Sequence, residues 1–565
     1  MKIDLILRGD VVTLDERRPR AEALAVHHGR VLAVGSAADL GGLTARRDIH
    51  LGDATVLPGF GDAHNHMAWF GLALDEIDLL GLRDPEHLYA LVAERAAQLG
   101  PDEMVVGSGY DDNLLGDHPD RARLDEAAGG REVWLKHRSG HIAMVNTPLL
   151  KRIGVLDETA QVHEGGAVVV RDGTPTGVLQ EQAQNLVVGV VTPYPCDQLA
   201  RALARASRVY AAEGLTHVTE CGIGAGWLGK SPVEIAAYQR ARDRGELLVR
   251  TQLMPCVSAL HEVGAHDSDG IDFGLDLGLR TGFGDAWIRL GAMKIWLDGS
   301  ILGRTAAMRE PFACRCAGDD PGAGYLQDDP DRMRRQVLAA HRAGWQVAAH
   351  ALGDAAIDFA LDVIAEAQRE HPRPDVRHRV EHAGVITDEQ VRRMAALGVT
   401  PVPQPRFIHD IGDPMAAAVG PEREHLLYRH AAFLRAGMRV PGSSDRPVAD
   451  GRPLLGIASM QERLTSSGRV LGPGERVDAE TAVRAYTLDT AWIAGEEHER
   501  GRIAPGLLAD LVVLDQDITR TDPATTAGAT VIATLVGGRA SHSTAGLDLP
   551  LLTDLAPSSA QEITA

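Results

Sequence analysis

The sequence predicts an α/β protein. We expect a TIM-type (β/α)8 barrel, a β-sandwich domain built from both termini, and an α/β insertion after the first barrel strand. Three observations support this. Short strand-like runs occur at both ends of the chain, apolar runs alternate with helical patterns between them, and one connection is far longer than a normal βα loop. The length of 565 residues fits a large catalytic domain with a smaller companion.

The two ends of the chain carry the predicted sandwich. Apolar and polar positions alternate in short runs at 3–8, 11–14, 23–26 and 30–34, and again at 510–515 and 531–536. Because chain termini commonly meet in space, residues 1–57 and 500–545 are expected to form one composite domain. Residues 546–565 are expected to form a loosely packed tail.

The barrel is predicted over residues 58–499, from eight apolar strand-like runs that are mostly followed by a turn and a helical pattern. These runs are 54–60, 215–221, 249–256, 290–297, 346–351, 377–382, 399–404 and 438–443. A doubly wound sheet is the alternative, but the chain has no pattern of a dinucleotide-binding turn. Residues 72–213 interrupt the series and are expected to form an inserted subdomain over the barrel mouth.

Composition excludes several classes of function. The formal net charge is −21, from 57 Lys and Arg against 78 Asp and Glu, so a nucleic-acid partner is not expected. The five cysteines are an odd number in a long chain, which argues against a disulfide framework. The chain start has no secretory pattern, and no apolar run approaches the roughly 20 residues of a membrane span. We therefore expect a cytoplasmic protein without membrane contact.

The first candidate ligands are His64 and His66, in the string GFGDAHNHMAWFG. Residues two apart on a strand point to the same side, so both imidazoles can approach one ion at the end of the first barrel strand. Among 23 histidines, such a pair can also arise by chance. Taken alone, it leaves metal binding and coincidence about equally open.

Four more candidates stand at or near other strand ends. Each alone has an ordinary structural explanation, such as a snorkelling lysine, a satisfied histidine or a helix N-cap aspartate. Together they place a candidate ligand on strands one, four, five, six and eight, which converge in a barrel. Nitrogen and oxygen donors without thiolate suit zinc, and also manganese, iron or cobalt. The four residues are Lys294, His350, His382 and Asp445.

Longer strings resemble the amidohydrolase superfamily almost end to end. Within it, the chain resembles the branch of amidohydrolase family 3 that includes YtcJ-like proteins and N-substituted formamide deformylase. The strings are LPGFGDAHNH, VVGSGYDD, GHIAMVN, TPTGVLQE, KIWLDGSILGRTAAM, AAHALGDAAID, RHRVEHA, PQP, GSSDRPV and GRIAPGLLADLVVLD. The chain departs from the pattern at Gly61 and Asn65, where apolar residues are common.

The resemblance implies a binuclear metal centre. Its ligands would be His64, His66, a carbamate on Lys294, His350, His382 and Asp445, holding two divalent ions, with Zn²⁺ the leading choice. Two such ions would hold a bridging hydroxide, and Asp445 would accept the proton of the water and pass it to the leaving nitrogen. A homodimer is also expected from the family.

Further polar residues are candidates for substrate contact. His141 is a candidate catalytic group that would polarise a carbonyl, with a structural role in the insertion as the alternative. Arg304 is a candidate carboxylate clamp, although a solvated loop arginine explains it equally. Glu381, next to His382, is expected to point away from the site by strand alternation. The remaining substrate candidates are Tyr110, Asp111, Gln404 and Trp69.

These residues predict hydrolysis of a C–N bond in a small amide, such as an N-acyl or N-formyl compound. A deaminase or a cyclic-amide hydrolase of the same superfamily is an alternative, and Lys294 argues against the deaminase because those enzymes usually use one metal without a modified lysine. A non-catalytic scaffold is a third possibility, which six intact ligand positions disfavour.

Overall fold

The computed structural model describes residues 2–100, 103–137, 142–156, 166–226, 228–313, 322–544 and 546–555. Two compact units divide the chain. One comprises the chain up to Phe70 and from Leu203 onward, and the other is Gly71–Ala202. Within the described residues no helix is long and apolar enough to cross a membrane. Cys221 and Cys256 are buried free thiols, and Cys314 and Cys316 lie outside the described residues.

The strands of the described residues are, in chain order, β1 (Lys2–Val12), β2 (Arg20–His27), β3 (Arg30–Gly35), β4 (Thr44–Pro58), β5 (Phe60–Asn65), β6 (Ile77–Asp78), β7 (Val105–Tyr110), β8 (Val133–His137), β9 (Ile142–Val145), β10 (Gly166–Arg171), β11 (Thr174–Glu181), β12 (Leu215–Ile223), β13 (Arg250–Pro255), β14 (His261–Glu262), β15 (Phe273–Gly274), β16 (Ile288–Leu290), β17 (Met293–Trp296), β18 (Val347–Ala351), β19 (Arg379–His382), β20 (Thr400–Val402), β21 (Leu511–Leu514), β22 (Val531–Val536) and β23 (Arg539–Ser543).

The α-helices are α1 (Met67–Ala73), α2 (Pro85–Gln98), α3 (Asp112–Leu115), α4 (Arg121–Ala127), α5 (Thr147–Arg152), α6 (Asn185–Val191), α7 (Cys196–Ala212), α8 (Glu234–Asp243), α9 (Pro330–Arg342), α10 (Asp354–Glu370), α11 (Asp388–Leu397), α12 (Phe407–Val419), α13 (His430–Arg435), α14 (Pro453–Glu462), α15 (Ala479–Arg484), α16 (Thr490–Ile493) and α17 (Pro523–Gly528).

Strands from both termini form one seven-stranded sheet, in the order β23-β22-β21-β4-β1-β2-β3. Its centre is β4, which pairs in parallel with β1 and antiparallel with β21. Leu5 and Leu7 pack into the same apolar cluster as Leu511 and Val513, so residues from the two chain ends share a core. The two-layer sandwich remains a prediction, because the strands form a single sheet.

The predicted loose tail is wrong for its described part, residues 546–555. Leu549 and Leu552 are buried, and the Ala540 N–H donates to the Pro550 carbonyl at 2.7 Å. The leucines of this segment pack against the terminal sheet, since burial of apolar side chains outweighs the polar character of the flanking residues.

Parallel strands carry the candidate site. One sheet has the order β16-β13-β12-β5 and another the order β17-β18-β19-β20. A parallel bridge between Cys256 and Lys294 joins the two sheets. At the other side, the Ala63 N–H donates to the Gly442 carbonyl and the His66 N–H to the Arg446 carbonyl, both at 2.9 Å. Hydrogen bonds therefore return from residues 442–446 to the first strand, as a closed barrel requires.

Two of the predicted barrel strands need correction. Residues 54–58 belong to β4 of the terminal sheet, and the strand that carries His64 is β5, which starts at Phe60. The eighth predicted run, 438–443, is not a regular strand. Gly442 explains part of this, because the Tyr486 ring fills the space a side chain would need: a Cβ there would lie 2.5 Å from that ring.

The second unit contains a six-stranded mixed sheet in the order β10-β11-β9-β8-β7-β6. Its strands β6, β7 and β8 are parallel, whereas β8, β9, β11 and β10 are antiparallel. Leu88, Val92 and Leu124, from α2 and α4, are buried in the same cluster as Val105 and Leu135 of this sheet. The unit thus has a hydrophobic core of its own.

Candidate metal centre

His64 and His66 stand at the end of β5 with Asp445 opposite them. Oδ1 of Asp445 lies 2.9 Å from Nε2 of His66 and 3.3 Å from Nε2 of His64. One donor atom from each residue lies within 4.8 Å of the other two, and all three residues are buried. Two imidazole nitrogens and a carboxylate oxygen at this spacing are a donor set for a divalent cation.

His350 and His382 adjoin this group from β18 and β19. His382 is opposite Ala351 in the parallel register of the two strands. The ring centroids of His350 and His382 are 4.6 Å apart, and the His382 ring is 4.8 Å from that of His64. The structure therefore brings the four predicted histidines into one continuous cluster.

Lys294 has an unusual environment. Its side chain is fully buried, and within the described part of the chain its Nζ has no hydrogen-bond partner. The ammonium lies 5.4 Å from the centre of the Trp296 ring. A buried ammonium without a partner is costly, so this nitrogen is expected to carry a further group or to contact a bound one.

Three of the imidazoles have a hydrogen-bond partner on one ring nitrogen. Nδ1 of His64 is 2.5 Å from Oε2 of Glu381, Nδ1 of His382 is 2.7 Å from Oε1 of Gln404, and Nε2 of His350 is 3.0 Å from the Gly299 carbonyl. Each acceptor fixes the proton on the nitrogen that faces it. In His350 and His382 the opposite nitrogen is left with the lone pair that a metal ligand needs, whereas Nε2 of His64 faces Oδ1 of Asp445.

Glu220 is a further acidic neighbour, on β12. Its Oε1 is 3.6 Å from Nδ1 of His66, and its Oε2 accepts hydrogen bonds from the Ala68 N–H at 3.0 Å and the Tyr238 hydroxyl at 2.7 Å. The carboxylate is thus held beside the outer nitrogen of His66, which places it to orient that ring.

The electrostatics favour the metal-binding form of His350, His382 and Asp445. For His64, burial lowers the pKa, but acidic neighbours such as Glu381 outweigh burial and raise this pKa well above its ordinary value. Burial lowers the pKa of His350 to about 3, and the charge of Lys294 adds to this effect. Burial also lowers the pKa of His382 far below its ordinary value, and His350 and His64 lower it further. For Asp445, burial opposes ionisation, but hydrogen bonds from His64 and His66 outweigh it and hold the pKa well below its usual range. Neutral imidazoles and an ionised carboxylate are the forms that bind metal.

Backbone strain marks the same place. His382 and Asp445 have φ angles of 70° and 59°, in the left-handed region that residues other than glycine rarely adopt. Each such residue costs of order 1–3 kcal/mol and persists only where its surroundings hold it. Both strained positions carry predicted ligands, as is common at functional sites.

Asp298 supports the strand ends around His350. Its carboxylate accepts hydrogen bonds from the backbone N–H groups of Ala307, Leu352 and Gly353. Burial raises the pKa of this carboxyl to about 7 although these hydrogen bonds oppose the shift. Asp298 therefore joins the loop after β17 to the turn that follows β18.

The expectation for Glu381 is wrong, and that for Gln404 stays a prediction. Glu381 does not point away from the site, since its carboxylate contacts His64 and also pairs with Arg379 at 2.6 Å. Gln404 is fully buried, and besides His382 its amide donates to the Val402 carbonyl and to Ser443. The amide of Gln404 is therefore engaged with His382, Val402 and Ser443, and its role as a substrate contact remains a prediction.

Two substrate candidates lie in the first unit. The Trp69 ring centre is 5.9 Å from that of His66, so the indole forms a wall beside this ligand. Arg304 is half-buried in the turn after β17, with a φ of 54°. Within the described ranges no carboxylate forms an ion pair with its guanidinium. Both residues remain predictions as substrate contacts.

Three candidates belong to the insertion. Tyr110 is fully buried in the core of the second unit, where its hydroxyl is 3.2 Å from Nδ1 of His118. We correct its predicted role to that of a core residue, because the apolar packing of its ring was not visible in the local sequence. Asp111 is buried near Asp112 and His137. His141 lies outside the described residues.

Sequence comparisons agree with this chemistry. The chain matches the amidohydrolase family over residues 49–542. The chain belongs to the amidohydrolase family. Members of this family are hydrolases that act on carbon–nitrogen bonds, and this amidohydrolase is an enzyme of that class with a small-molecule substrate.

Two curated relatives cover most of the amidohydrolase. It is 30% identical over 530 residues to the putative amidohydrolase YtcJ of Bacillus subtilis (strain 168). The alignment covers 91% of this chain and 95% of that protein. This chain is 29% identical over 531 residues to an N-substituted formamide deformylase of Arthrobacter pascens, which spans 91% and 93%. The predicted branch of the family is therefore confirmed.

A solved structure has the same fold. The amidohydrolase is 25% identical to an uncharacterized metal-dependent hydrolase from Pyrococcus furiosus, with a TM-score of 0.74 over 91% of this chain and all of that one. Metal dependence is thus a property of that protein, and membership of the family implies a divalent metal.

Proposed function

We propose that this amidohydrolase uses a binuclear metal centre to hydrolyse an amide, N-acyl or N-formyl bond of a small molecule. The observation that carries the proposal is Lys294, whose buried Nζ lacks a hydrogen-bond partner among the described residues. Reaction of the neutral amine with carbon dioxide would form a nitrogen–carbon bond and release one proton. The resulting carbamate would remove the uncompensated cation and provide an anionic ligand at the same place.

The residues present fit two divalent ions. His64, His66 and Asp445 offer donor atoms within 4.8 Å of one another, and the rings of His350 and His382 adjoin them. The carbamate of Lys294 would complete a set of nitrogen and oxygen donors that suits Zn²⁺, with Mn²⁺, Fe²⁺ and Co²⁺ as alternatives. When bound, the ions supply a lowered water pKa and polarisation of the substrate carbonyl.

Asp445 is proposed as the general base and acid. As an ionised carboxylate it accepts a proton from the attacking water and then donates it to the leaving nitrogen. Hydrogen bonds from His64 and His66 keep its oxygen facing the centre. Trp69 would exclude water on one side of the substrate.

We also propose the architecture that frames this centre. Residues 58–499 would form the closed (β/α)8 barrel with 72–213 inserted, and residues 1–57 with 500–545 the composite domain. The hydrogen bonds from β5 to residues 442–446 support closure. The homodimer expected from the family remains a prediction.

The test is a hydrolysis screen of purified protein supplied with Zn²⁺ or Mn²⁺. The panel contains N-substituted formamides, as suggested by the deformylase relative, together with N-acyl amines, cyclic amides and aminated heterocycles. We expect release of a free amine from a formamide or N-acyl compound, and no release by Asp445→Asn. Release of ammonia from the heterocycles alone would instead indicate a deaminase. Ring opening of the cyclic amides alone would indicate a cyclic-amide hydrolase.

A further inference from the structure

We propose that Tyr210 and Asn65 are positioning residues for Asp445. They would act through buried hydrogen bonds and not through contact with substrate. The expected effect on kcat rests on the function proposed above. The expected effect on metal binding can be measured without any turnover.

Asn65 lies between the two histidines of the His-x-His pair, where this chain departs from the apolar residue common in the family. Its side chain is fully buried and hydrogen-bonded. Nδ2 donates to Oδ2 of Asp62 at 2.8 Å and to the Ser444 hydroxyl at 3.3 Å, while Oδ1 accepts the Tyr210 hydroxyl at 2.5 Å. The amide thus links helix α7 to both chain segments that meet at the centre.

Asp62 extends these hydrogen bonds to Ser444, the residue before Asp445. Oδ1 of Asp62 accepts the Ser444 N–H at 3.0 Å, and its Oδ2 accepts the Ser444 hydroxyl at 2.5 Å. The Ser444 hydroxyl in turn accepts the Arg446 N–H at 3.1 Å. Both neighbours of Asp445 in the chain are therefore bound to a network that Asn65 completes.

The C-terminal end of α7 also holds Arg446, the residue after Asp445. The Arg446 guanidinium forms two hydrogen bonds with Glu213, at 2.6 and 3.0 Å, and lies 4.4 Å above the Phe70 ring. Phe70 stacks on Tyr210 with ring centroids 5.6 Å apart and planes 5° from parallel. Tyr210 and Glu213, three residues apart at the end of α7, thus hold the residues on either side of the catalytic carboxylate.

Asp445 needs this support because of its own backbone. At φ 59° it occupies a conformation that an aspartate leaves unless its neighbours prevent it. Its oxygen stands 2.9 Å from Nε2 of His66, a distance that a small rotation of the backbone would lengthen. A hydroxyl on α7 can therefore affect the position of Asp445 without touching it.

The test compares Tyr210→Phe and Asn65→Leu with the unaltered protein. Tyr210→Phe retains the stacked ring and removes one hydroxyl, and Asn65→Leu restores the apolar character common in the family. We expect each to weaken Co²⁺ binding and to lower kcat by roughly tenfold, with KM unchanged. The visible spectrum of the cobalt-loaded protein should shift in both variants, which a purely structural effect elsewhere in the fold would not cause.

The double variant Asn65→Leu/Tyr210→Phe tests the link itself. Because the Tyr210 hydroxyl reaches the network through Asn65, we expect the double variant to lose no more than Asn65→Leu alone. Tyr89→Phe is the control, since it removes a hydroxyl that accepts the Asp120 N–H at 2.8 Å in the second unit. It should keep cobalt affinity, spectrum and kcat.

Several results would overturn the proposal. One is a cobalt affinity and spectrum in Tyr210→Phe and Asn65→Leu that equal those of the unaltered protein. Another is a loss of cobalt affinity in the double variant that equals the product of the two single losses, as expected for independent sites. If the unaltered protein hydrolyses no amide, the proposed function fails, and cobalt binding alone then decides whether Tyr210 and Asn65 position Asp445.

Discussion

Lys294 is the proposed ligand whose buried charge has the least compensation from its neighbours. An ammonium that is fully buried without a hydrogen-bond partner would cost several kcal/mol if it stayed charged and bare. A carbamate at this nitrogen would offer oxygen atoms to metal ions, so the proposed modification and metal binding would together compensate the buried Nζ.

Replacing Lys294 should therefore remove metal as well as activity. We expect Lys294→Ala to lower turnover by more than roughly 100-fold, because the loss of a ligand exceeds the loss of an orienting partner. Short carboxylic acids such as acetate or propionate should restore part of the rate by occupying the space of the carbamate. The measurement is amine release with and without added acid.

Lys136→Ala is the matched control for this experiment. Its ammonium forms a 2.5 Å ion pair with Glu76 in the second unit, away from the proposed ligands in the sequence. It should keep full activity and show no response to acids. Full activity in Lys294→Ala would refute the role of Lys294.

Gln404 offers a second test at the same scale. If its amide orients His382, Gln404→Leu should weaken metal binding roughly 10- to 100-fold and leave KM for the amide unchanged once metal is saturating. The metal affinity is measured by competition with a chromophoric chelator. Gln461→Leu, which removes a 3.2 Å hydrogen bond to Thr526, should have no effect on either quantity. A raised KM with wild-type metal affinity would instead support a substrate role for Gln404.

At the scale of elements, the strand ends made the ligands predictable. Lys294, His350 and His382 lie on the consecutive parallel strands β17, β18 and β19, and His64 lies on β5 of the other parallel sheet. Parallel strands bring their carboxyl ends to the same edge of a sheet. Glu381 was mispredicted because alternation assumes a regular strand. His382 has a left-handed φ of 70°, so the rule that neighbours point to opposite faces fails there.

Other errors arose from long-range packing. The burial of Tyr110 depends on residues from α2, α4 and β8, which no local pattern brings together. A Cβ at Gly61 would lie 2.5 Å from the Thr490 Oγ1, a contact that the sequence around Gly61 does not reveal. The eighth strand was predicted from the apolar run 438–443, but these residues do not form a regular strand.

The contact between α9 and the start of β18 predicts a pH dependence. His378 is buried, its Nδ1 accepts the Val347 N–H at 3.0 Å, and its Nε2 is 2.8 Å from Nδ1 of His341. Burial lowers the pKa of His378 far below its ordinary value, and His341 lowers it further. Stability from this neutral ring is complete above the unfolded pKa of about 6.5 and is lost as the pH falls below it.

We expect the free energy of unfolding to decrease on acidification, with His378 contributing up to about 1.4 kcal/mol per pH unit. Urea unfolding of the metal-free protein at pH 7.5, 6.5 and 5.5 measures it. His378→Asn should show a shallower decline than the unaltered protein, since one proton fewer is taken up on unfolding. Equal slopes would contradict the assignment.

For the whole molecule, the first unit contains all six proposed ligands, whereas the second has a separate core. Metal that binds the folded first unit and not the unfolded chain stabilises it by mass action. The family and its reaction class follow from the comparisons, and the centre follows from the clustering of ligands on parallel strands. The substrate depends on the side chains of the loops that follow the strands, and strand patterns do not determine those loops.

The most direct test of the binuclear centre is the metal content of protein produced with ample Zn²⁺ or Mn²⁺, measured by plasma mass spectrometry. We expect about two metal ions per chain in the unaltered protein and clearly fewer in Lys294→Ala. Protein without metal, or a single ion held equally well by both proteins, would contradict it.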